Sequence, residues 1–314
     1  MLSVKPKPLI TRCDVLIIGM GPAGLSAGMY TARAGLSTVI FGFKEKGHLY
    51  QAKVISNYFG AEDVAGRMLI EKGIKQALRF SAVLHEKEIV SLGIAGEGGL
   101  SVKDSSGEVF IGKFVIIATG TSYAVSGIKH EEIFLGKGVS HCAICDGFFF
   151  KEKKIAVIGN GNYAASEAIE LRSFSPHVTM MSHGKDFEIS SSIAEEIATR
   201  GVTMRKTPKI REFSGKDRLS ELLFEDGTTE NVDAAFLAIG TAGAFNFAQT
   251  LGLELSGNYI KVNVAMETNV TGIYAAGNCT GADPQAAVSV GEGCRAALSI
   301  IRKVRGAKVY LQYN

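Results

Sequence analysis

The chain has no apolar run long enough to cross a bilayer, no low-complexity linker, and little charge imbalance. The first absence argues against a membrane protein. The third argues against nucleic-acid binding, since a net charge of +3 over 314 residues is too small for an electrostatic footprint. The surplus sits at one end: residues 301–314 hold Arg302, Lys303, Arg305 and Lys308 with no acid, which reads as a solvated helix end and tail. Cysteine is scarce and odd in number, five without framework spacing. That excludes a secreted disulfide scaffold and suits a reducing cytoplasm. The apolar stretch after the first lysines is explained by a strand and its glycine turn, so the chain reads as untargeted and cytoplasmic.

What is present begins with Cys142-Ala143-Ile144-Cys145-Asp146-Gly147. Two cysteines separated by two residues close a small disulfide ring, and an acidified thiol lets the pair cycle between dithiol and disulfide. The same spacing is half of a zinc site. Zinc needs four ligands, and Cys13, Cys279 and Cys294 stand far apart without forming a second CxxC. No metal is expected. Redox chemistry is the preferred reading, with an inert buried pair as the bland one.

Two nucleotide-binding fingerprints flank this motif. Residues 13–18 read as a buried strand that runs into Gly19-Met20-Gly21-Pro22-Ala23-Gly24, then a helix to Ala34 and a strand from Ser37 to Phe41. Among 37 glycines a lone GxGxxG means little. In βαβ context it gives a tight turn, close backbone approach to a pyrophosphate, and a helix N-terminus for its charge. The acid expected at the end of the next strand is missing, and Glu45 is the nearest. The second fingerprint is Ile155–Ile158 followed by Gly159-Asn160-Gly161-Asn162-Tyr163-Ala164, with the next strand ending in Ser182-His183-Gly184-Lys185. That end carries neither an arginine for a 2′-phosphate nor a carboxylate for a ribose. Lys185 is a point charge without a bidentate fork.

Each βαβ unit is followed by a β-rich stretch and a strand ending in small residues: Phe114–Gly120 in the first, Ala235–Gly240 in the second. The strand Gly272–Gly277 then returns, before a small-residue helix from about Gln285 to Val304. This predicts an α/β fold of two Rossmann-like nucleotide-binding domains, three-layered, the second inserted into the first.

These motifs, in this order, resemble the low-molecular-weight thioredoxin reductases, FAD-dependent disulfide oxidoreductases. The resemblance rests on residues 19–24, 118–120, 136–140, 142–147, 159–164, 272–277 and 285–293. It implies a discontinuous FAD domain of residues 1–121 and 244–314, a central domain of 122–243, a homodimer, and thioredoxin or a thioredoxin-like protein as partner. It makes Cys142 and Cys145 the redox pair, Cys145 facing the flavin and Cys142 attacking the partner, with Asp146 as the acid/base. It places FAD on Gly19, Gly21, Pro22, Ala23, Gly24, His48, Leu49, Asn57, Thr119, Gly120, Gly277, Asn278, Gln285 and Ala286.

The chain departs from the family at several of these points. His48 replaces a glutamine, Ser56 an acid, Asn278 an aspartate and Pro284 an arginine. FAD is still expected, because its pyrophosphate and ring contacts are mostly backbone and shape. The NADPH site departs further. Ser182-His183-Gly184 stands for His-Arg-Arg, Gly243-Ala244 for Pro-Asn, and Tyr163 is expected to intrude on a nicotinamide nucleotide or to stack on another group. NADPH is therefore doubtful. The chain resembles members that take electrons from ferredoxin or carry a second FAD. The alternatives are an ordinary NADPH enzyme with a variant site and a flavin-binding sensor or inactive paralogue. Tyr310 and Tyr313 are further candidates, as aromatic rings that could shield a flavin.

Overall fold

The structure is a computed structural model, and it describes residues 10–120, 126–240, 243–257 and 259–306. Lys308, Tyr310 and Tyr313 lie outside the described residues. The chain divides into two compact units, one of residues 1–104, 108–122 and 243–314, the other of residues 105–107 and 123–242.

In the first unit the strand Ile10–Ile18 lies between Thr38–Phe41 and Val109–Ile117, parallel to both. Val83–His85 extends one edge, and the antiparallel pair Leu100–Asp104 and Ile89–Ile94 extends the other. Strand Val109–Ile117 is shared along its length. Its first half pairs with Leu100–Lys103, and residues 115–117 pair with Ile273–Ala275. A strand from late in the chain thus completes a sheet begun near residue 10, so the second unit is an insertion. The helices Pro22–Arg33 and Ala286–Arg305 pack on this sheet through small residues, with Ala23, Ala27, Ala296, Ala297 and Ile300 joining Val15, Ile17, Ile40 and Ile116 in one core. Gly293 sets how closely they approach: a Cβ there would lie 2.1 Å from the Ala23 carbonyl oxygen.

The second unit has its own parallel sheet. Ile155–Ile158 lies between Val178–Met181 and Ala234–Leu237, with Thr203–Arg205 and Val139–Ser140 at the edges. The central strands are near-continuous apolar runs, as expected of a parallel sheet covered on both faces, and Ile155–Ile158 and Ala234–Leu237 are buried throughout. A small antiparallel sheet, Ile210–Gly215, Leu219–Phe224 and Thr229–Asn231, packs its apolar face into the same core. The CxxC follows the short strand Val139–Ser140 and the second glycine turn follows Ile155–Ile158, so both lie beyond the carboxyl ends of parallel strands. Ligands bind at that end of such sheets.

Candidate functional site

Gly19 and Gly24 build the first turn for steric reasons. Gly19 has φ +125°, and a Cβ on it would lie 2.1 Å from the Ala118 carbonyl oxygen. A Cβ on Gly24 would lie 1.8 Å from the Gly19 carbonyl oxygen. Gly21 differs. Its backbone is extended, and a Cβ there meets nothing within 4 Å. Open space therefore faces the turn at the start of the helix Pro22–Arg33, which has no side-chain cap and no acid in its first turn. That is the shape and polarity a pyrophosphate requires, so the residues present fit FAD.

The other expected FAD residues gather in the same unit. Gly277, with φ +83°, would bring a Cβ to 3.0 Å from that of Ala23, and its N–H donates to Glu292 Oε2 at 2.7 Å. Asn278 Oδ1 accepts from Ser289 Oγ at 3.3 Å. Ala286 opens the 20-residue helix, which also lacks a side-chain cap and a first-turn acid. Asn57 Nδ2 donates to Gln285 Oε1 at 3.1 Å, joining residues far apart in sequence. Thr119 and Gly120 follow the strand Val109–Ile117 beside Gly19. His48 and Leu49 open a short helix, with His48 exposed and Leu49 packed on the core. Glu45 is exposed and 3.9 Å from Lys44 Nζ.

This geometry gives a paired prediction. Gly24→Ala should destabilise the fold by about 1–3 kcal/mol or more, because the new methyl group overlaps backbone. Gly21→Ala should fold with unchanged circular dichroism yet lose most bound FAD, because its methyl group enters only the open space. Flavin absorbance per mole of purified protein, with and without added FAD, reads both. A fully flavinylated Gly21→Ala protein would show that the pyrophosphate lies elsewhere.

In the second unit Cys142 and Cys145 form a disulfide across one helical turn, Ala143–Asp146, with Cα atoms 5.4 Å apart. Cys145 N–H donates to Cys142 Sγ at 3.2 Å, so a donor already points at a sulfur that would carry charge after the ring opens. Ser140 Oγ accepts from Cys142 N–H at 3.1 Å and donates to Asp146 Oδ2 at 2.6 Å. Asp146 is thereby held against the start of the redox loop. In this arrangement Cys145 is exposed and Cys142 buried. Attack by Cys142 on a partner therefore requires that it first be uncovered. His141 Nε2 lies 3.1 Å from Glu131 Oε1, and Ser126 Oγ donates to the other oxygen of that carboxylate. Burial opposes the Glu131 charge, but these two hydrogen bonds outweigh it and hold its pKa below the ordinary value. The two remaining thiols with resolved shifts are inert by contrast: burial pushes Cys13 and Cys279 up to about 12.

Around the loop, Ile144, Phe148 and Phe149 are 50%, 59% and 72% exposed, an unusual concentration of apolar surface beside an exposed sulfur. Lys151 Nζ sits 4.2 Å from the centre of the Phe148 ring.

Two groups that the sequence does not assign to the redox loop reach it from the helix Asn162–Leu171. Tyr163 is buried, and its hydroxyl donates to the His141 carbonyl at 3.4 Å. It is thus part of the core beneath the redox loop; the expectation that it intrudes on a nicotinamide nucleotide is corrected, because the helix turns this face away from solvent. Glu167, one turn further on, accepts the Ala143 N–H at 2.9 Å. Burial pushes its pKa from 4.5 up to about 7, the Ala143 hydrogen bond opposing and the Glu170 charge adding. Only the i, i+4 spacing of Tyr163 and Glu167 was available in sequence as a signal.

The second glycine turn repeats the first sterically: a Cβ on Gly159 would lie 2.2 Å from the Ala238 carbonyl oxygen. Residues 186–190 hydrogen-bond to this turn. Asn160 Nδ2 donates to the Asp186 carbonyl at 2.9 Å, Glu188 N–H donates to the Asn160 carbonyl at 2.8 Å, and Asn162 Oδ1 accepts Ser190 N–H at 2.8 Å. Ser182 and His183 are both buried. Ser182 Oγ accepts Thr207 N–H at 3.1 Å, and His183 Nδ1 accepts Ile210 N–H at 3.0 Å. Burial first, then Lys209 and Lys185, push His183 down to about 4, so it is neutral at physiological pH. The nearby cations are largely engaged: Arg205 with Glu230, Lys206 with Asp186, and Lys209 with Glu225 at 3.6 Å. Lys185 is exposed.

Comparison with known proteins follows the same motifs. The family model described as pyridine nucleotide-disulphide oxidoreductase matches residues 13–293. The thioredoxin reductase of Streptomyces coelicolor is 34% identical over 297 residues, covering 91% of this chain and 92% of that protein. The thioredoxin reductase of Bacillus subtilis is 34% identical over 300 residues, covering 91% and 93%. Among solved structures, an atypical thioredoxin reductase from Desulfovibrio vulgaris Hildenborough superposes with TM-score 0.89 at 39% identity, covering 95% of this chain and 99% of that one. A ferredoxin-flavin thioredoxin reductase from Clostridium acetobutylicum gives TM-score 0.71 at 30% identity, covering 95% and 100%.

Proposed function

The chain belongs to the pyridine nucleotide-disulphide oxidoreductase family and is an FAD-dependent disulfide oxidoreductase related to the thioredoxin reductases, and from that premise we propose that it exchanges electrons with a protein dithiol through Cys142 and Cys145, using a donor other than NADPH. The observation that carries the dithiol chemistry is the Cys142–Cys145 disulfide at a loop with one exposed sulfur, a Ser140-held carboxylate, and an apolar rim. FAD supplies the two-electron redox chemistry when bound. The chain holds it with residues 1–121 and 244–314, on the turn Gly19–Gly24 and the residues around Gly277 and Gln285.

The protein's own groups then divide the work. Ser140 fixes Asp146 where it can hand a proton to, or take one from, the cysteine pair. The Cys145 N–H stabilises charge on Cys142 sulfur. Ile144, Phe148 and Phe149 offer a partner protein an apolar contact around the disulfide, aromatic residues of the kind that dominate docking energetics. The partner is thioredoxin or a thioredoxin-like protein, and the enzyme acts as a homodimer.

The donor reading rests on the second glycine turn. Its strand end offers no arginine, its histidine is buried and neutral, and residues 186–190 hydrogen-bond to the turn itself. A ferredoxin, or a second FAD in place of the nicotinamide nucleotide, is the preferred electron source.

The dithiol chemistry is tested by anaerobic titration of the purified flavoprotein with reduced thioredoxin or dithiothreitol. Bleaching of the flavin is expected for wild type. Phe149→Ala should raise KM for thioredoxin about 5- to 30-fold, the effect of one to two kcal/mol of lost contact, and leave bleaching by dithiothreitol unchanged. A flavin that neither dithiol bleaches would mark the chain as a flavin-binding sensor.

A further inference from the structure

Two side chains one helical turn apart hold the backbone on both sides of Cys142. Tyr163 donates to the carbonyl of His141, and Glu167 accepts the N–H of Ala143. Both come from the helix Asn162–Leu171 that follows the second glycine turn, so that helix supports the redox loop. Glu167 is half-buried, its carboxyl is desolvated by its surroundings, and it makes no ion pair among the described residues. Its environment is set by several elements. On its own helix stand Glu170 and the buried phenol of Tyr163. The redox helix brings Asp146, whose carboxylate is engaged by Ser140. The helix Ser191–Arg200, which packs against Asn162–Leu171, carries Glu195, Glu196 and Arg200, of which Glu195 and Arg200 are exposed. The strands Ile155–Ile158 and Val178–Met181 bring no ionisable side chain.

We infer that Glu167 is a positioning residue that couples proton uptake to reduction of the Cys142–Cys145 disulfide. The inference rests on the redox role proposed above for that pair. When the S–S bond opens it accepts two electrons from the reductant, a dithiol or the reduced flavin. One sulfur, Cys145, takes a proton and becomes a thiol. Cys142 remains a thiolate under the Cys145 N–H. That new negative charge is one residue from Ala143, whose N–H is shared with Glu167. A desolvated carboxylate beside a fresh anion is unfavourable, so the Glu167 carboxylate takes up the second proton and becomes a neutral acid. The balance is two electrons and two protons, and the single negative charge moves from the Glu167 carboxylate to the Cys142 sulfur rather than doubling. Poised near 7 in the disulfide state, the group exchanges its proton in the physiological range.

Glu167→Gln tests this in the full-length flavoprotein, because the amide oxygen still accepts the Ala143 N–H but cannot take a proton. The variant should fold. A carboxyl whose pKa is raised on folding makes stability fall as pH rises from 4.5 to about 7. Removing it should hold or raise Tm above that window. The dithiol–disulfide equilibrium of Cys142 and Cys145 is then measured against dithiothreitol redox buffers by thiol labelling. Over the pH unit above 7, the equilibrium constant in wild type should change about five- to tenfold more than in Glu167→Gln, the signature of up to one additional proton. Parallel pH slopes in the two proteins would overturn the assignment while leaving the redox pair intact. No dithiol–disulfide equilibrium in either protein would overturn the redox reading itself. A second readout needs no variant: the redox-induced infrared difference spectrum of wild type with ¹³C-labelled glutamate. A carboxylic-acid carbonyl band should appear on reduction and shift with the label. Its absence would also overturn the proposal.

Discussion

Serine at Cys142 or at Cys145 is expected to lower disulfide turnover by more than about 10³-fold while leaving the flavin bound and the fold intact. Thiol–disulfide exchange passes through a mixed disulfide that a second thiol must resolve, so either sulfur alone is insufficient. The flavin should survive because its residues lie in a unit that folds around a different sheet. The two variants should still differ. Cys145→Ser leaves Cys142 with the backbone N–H of residue 145 as donor and should trap a partner as a stable mixed disulfide. Cys145, however, is the exposed sulfur and Cys142 the buried one in this arrangement. Trapping by Cys142→Ser instead would assign the attacking role to Cys145. Near-normal turnover in either variant would remove the cysteine pair from the mechanism.

Mixing the oxidised flavoprotein with NADPH should produce slow or no flavin reduction at physiological cofactor concentrations. Each charge-assisted hydrogen bond to a 2′-phosphate contributes roughly 1.5–3 kcal/mol, so losing an arginine pair weakens binding by about 10²–10⁴-fold. In this chain the substitution goes beyond missing charge. His183 is drawn inward and neutral, and the surrounding cations are tied to Glu230, Asp186 and Glu225. Stopped-flow absorbance decides the matter: complete reduction within milliseconds at micromolar NADPH would restore an ordinary NADPH-dependent enzyme. Reduced ferredoxin is the comparison donor. Ferredoxins are acidic, and Lys151, Lys153 and Lys154 are exposed beside the redox loop, so that rate should fall with added salt.

The glycine spacing of residues 19–24 made the first turn legible in sequence, because only a residue without Cβ can sit 1.8–2.1 Å from backbone oxygen. The same spacing could not separate Gly21, which faces open space, from Gly19 and Gly24, which face backbone. The CxxC was legible from spacing as well. The Ser140–Asp146 contact could not be, because it depends on how a two-residue edge strand enters one helical turn. Tyr163 shows the limit most clearly. Its place in a nucleotide fingerprint pointed toward the nucleotide, and only the rotation of its helix shows that the ring is buried beneath Cys142.

The sequence by itself determined the two βαβ units, the insertion of one in the other and the family, and it singled out the cysteine pair 142/145. Each depends on short-range rules of period, turn and spacing that survive without coordinates. Tertiary structure decided which side chains meet across long separations: Asn57 with Gln285, Glu167 with Ala143, and residues 186–190 with the second glycine turn. Those pairings are fixed by sheet order and helix rotation, which no local pattern encodes, and burial then sets the charge states of Glu167 and His183.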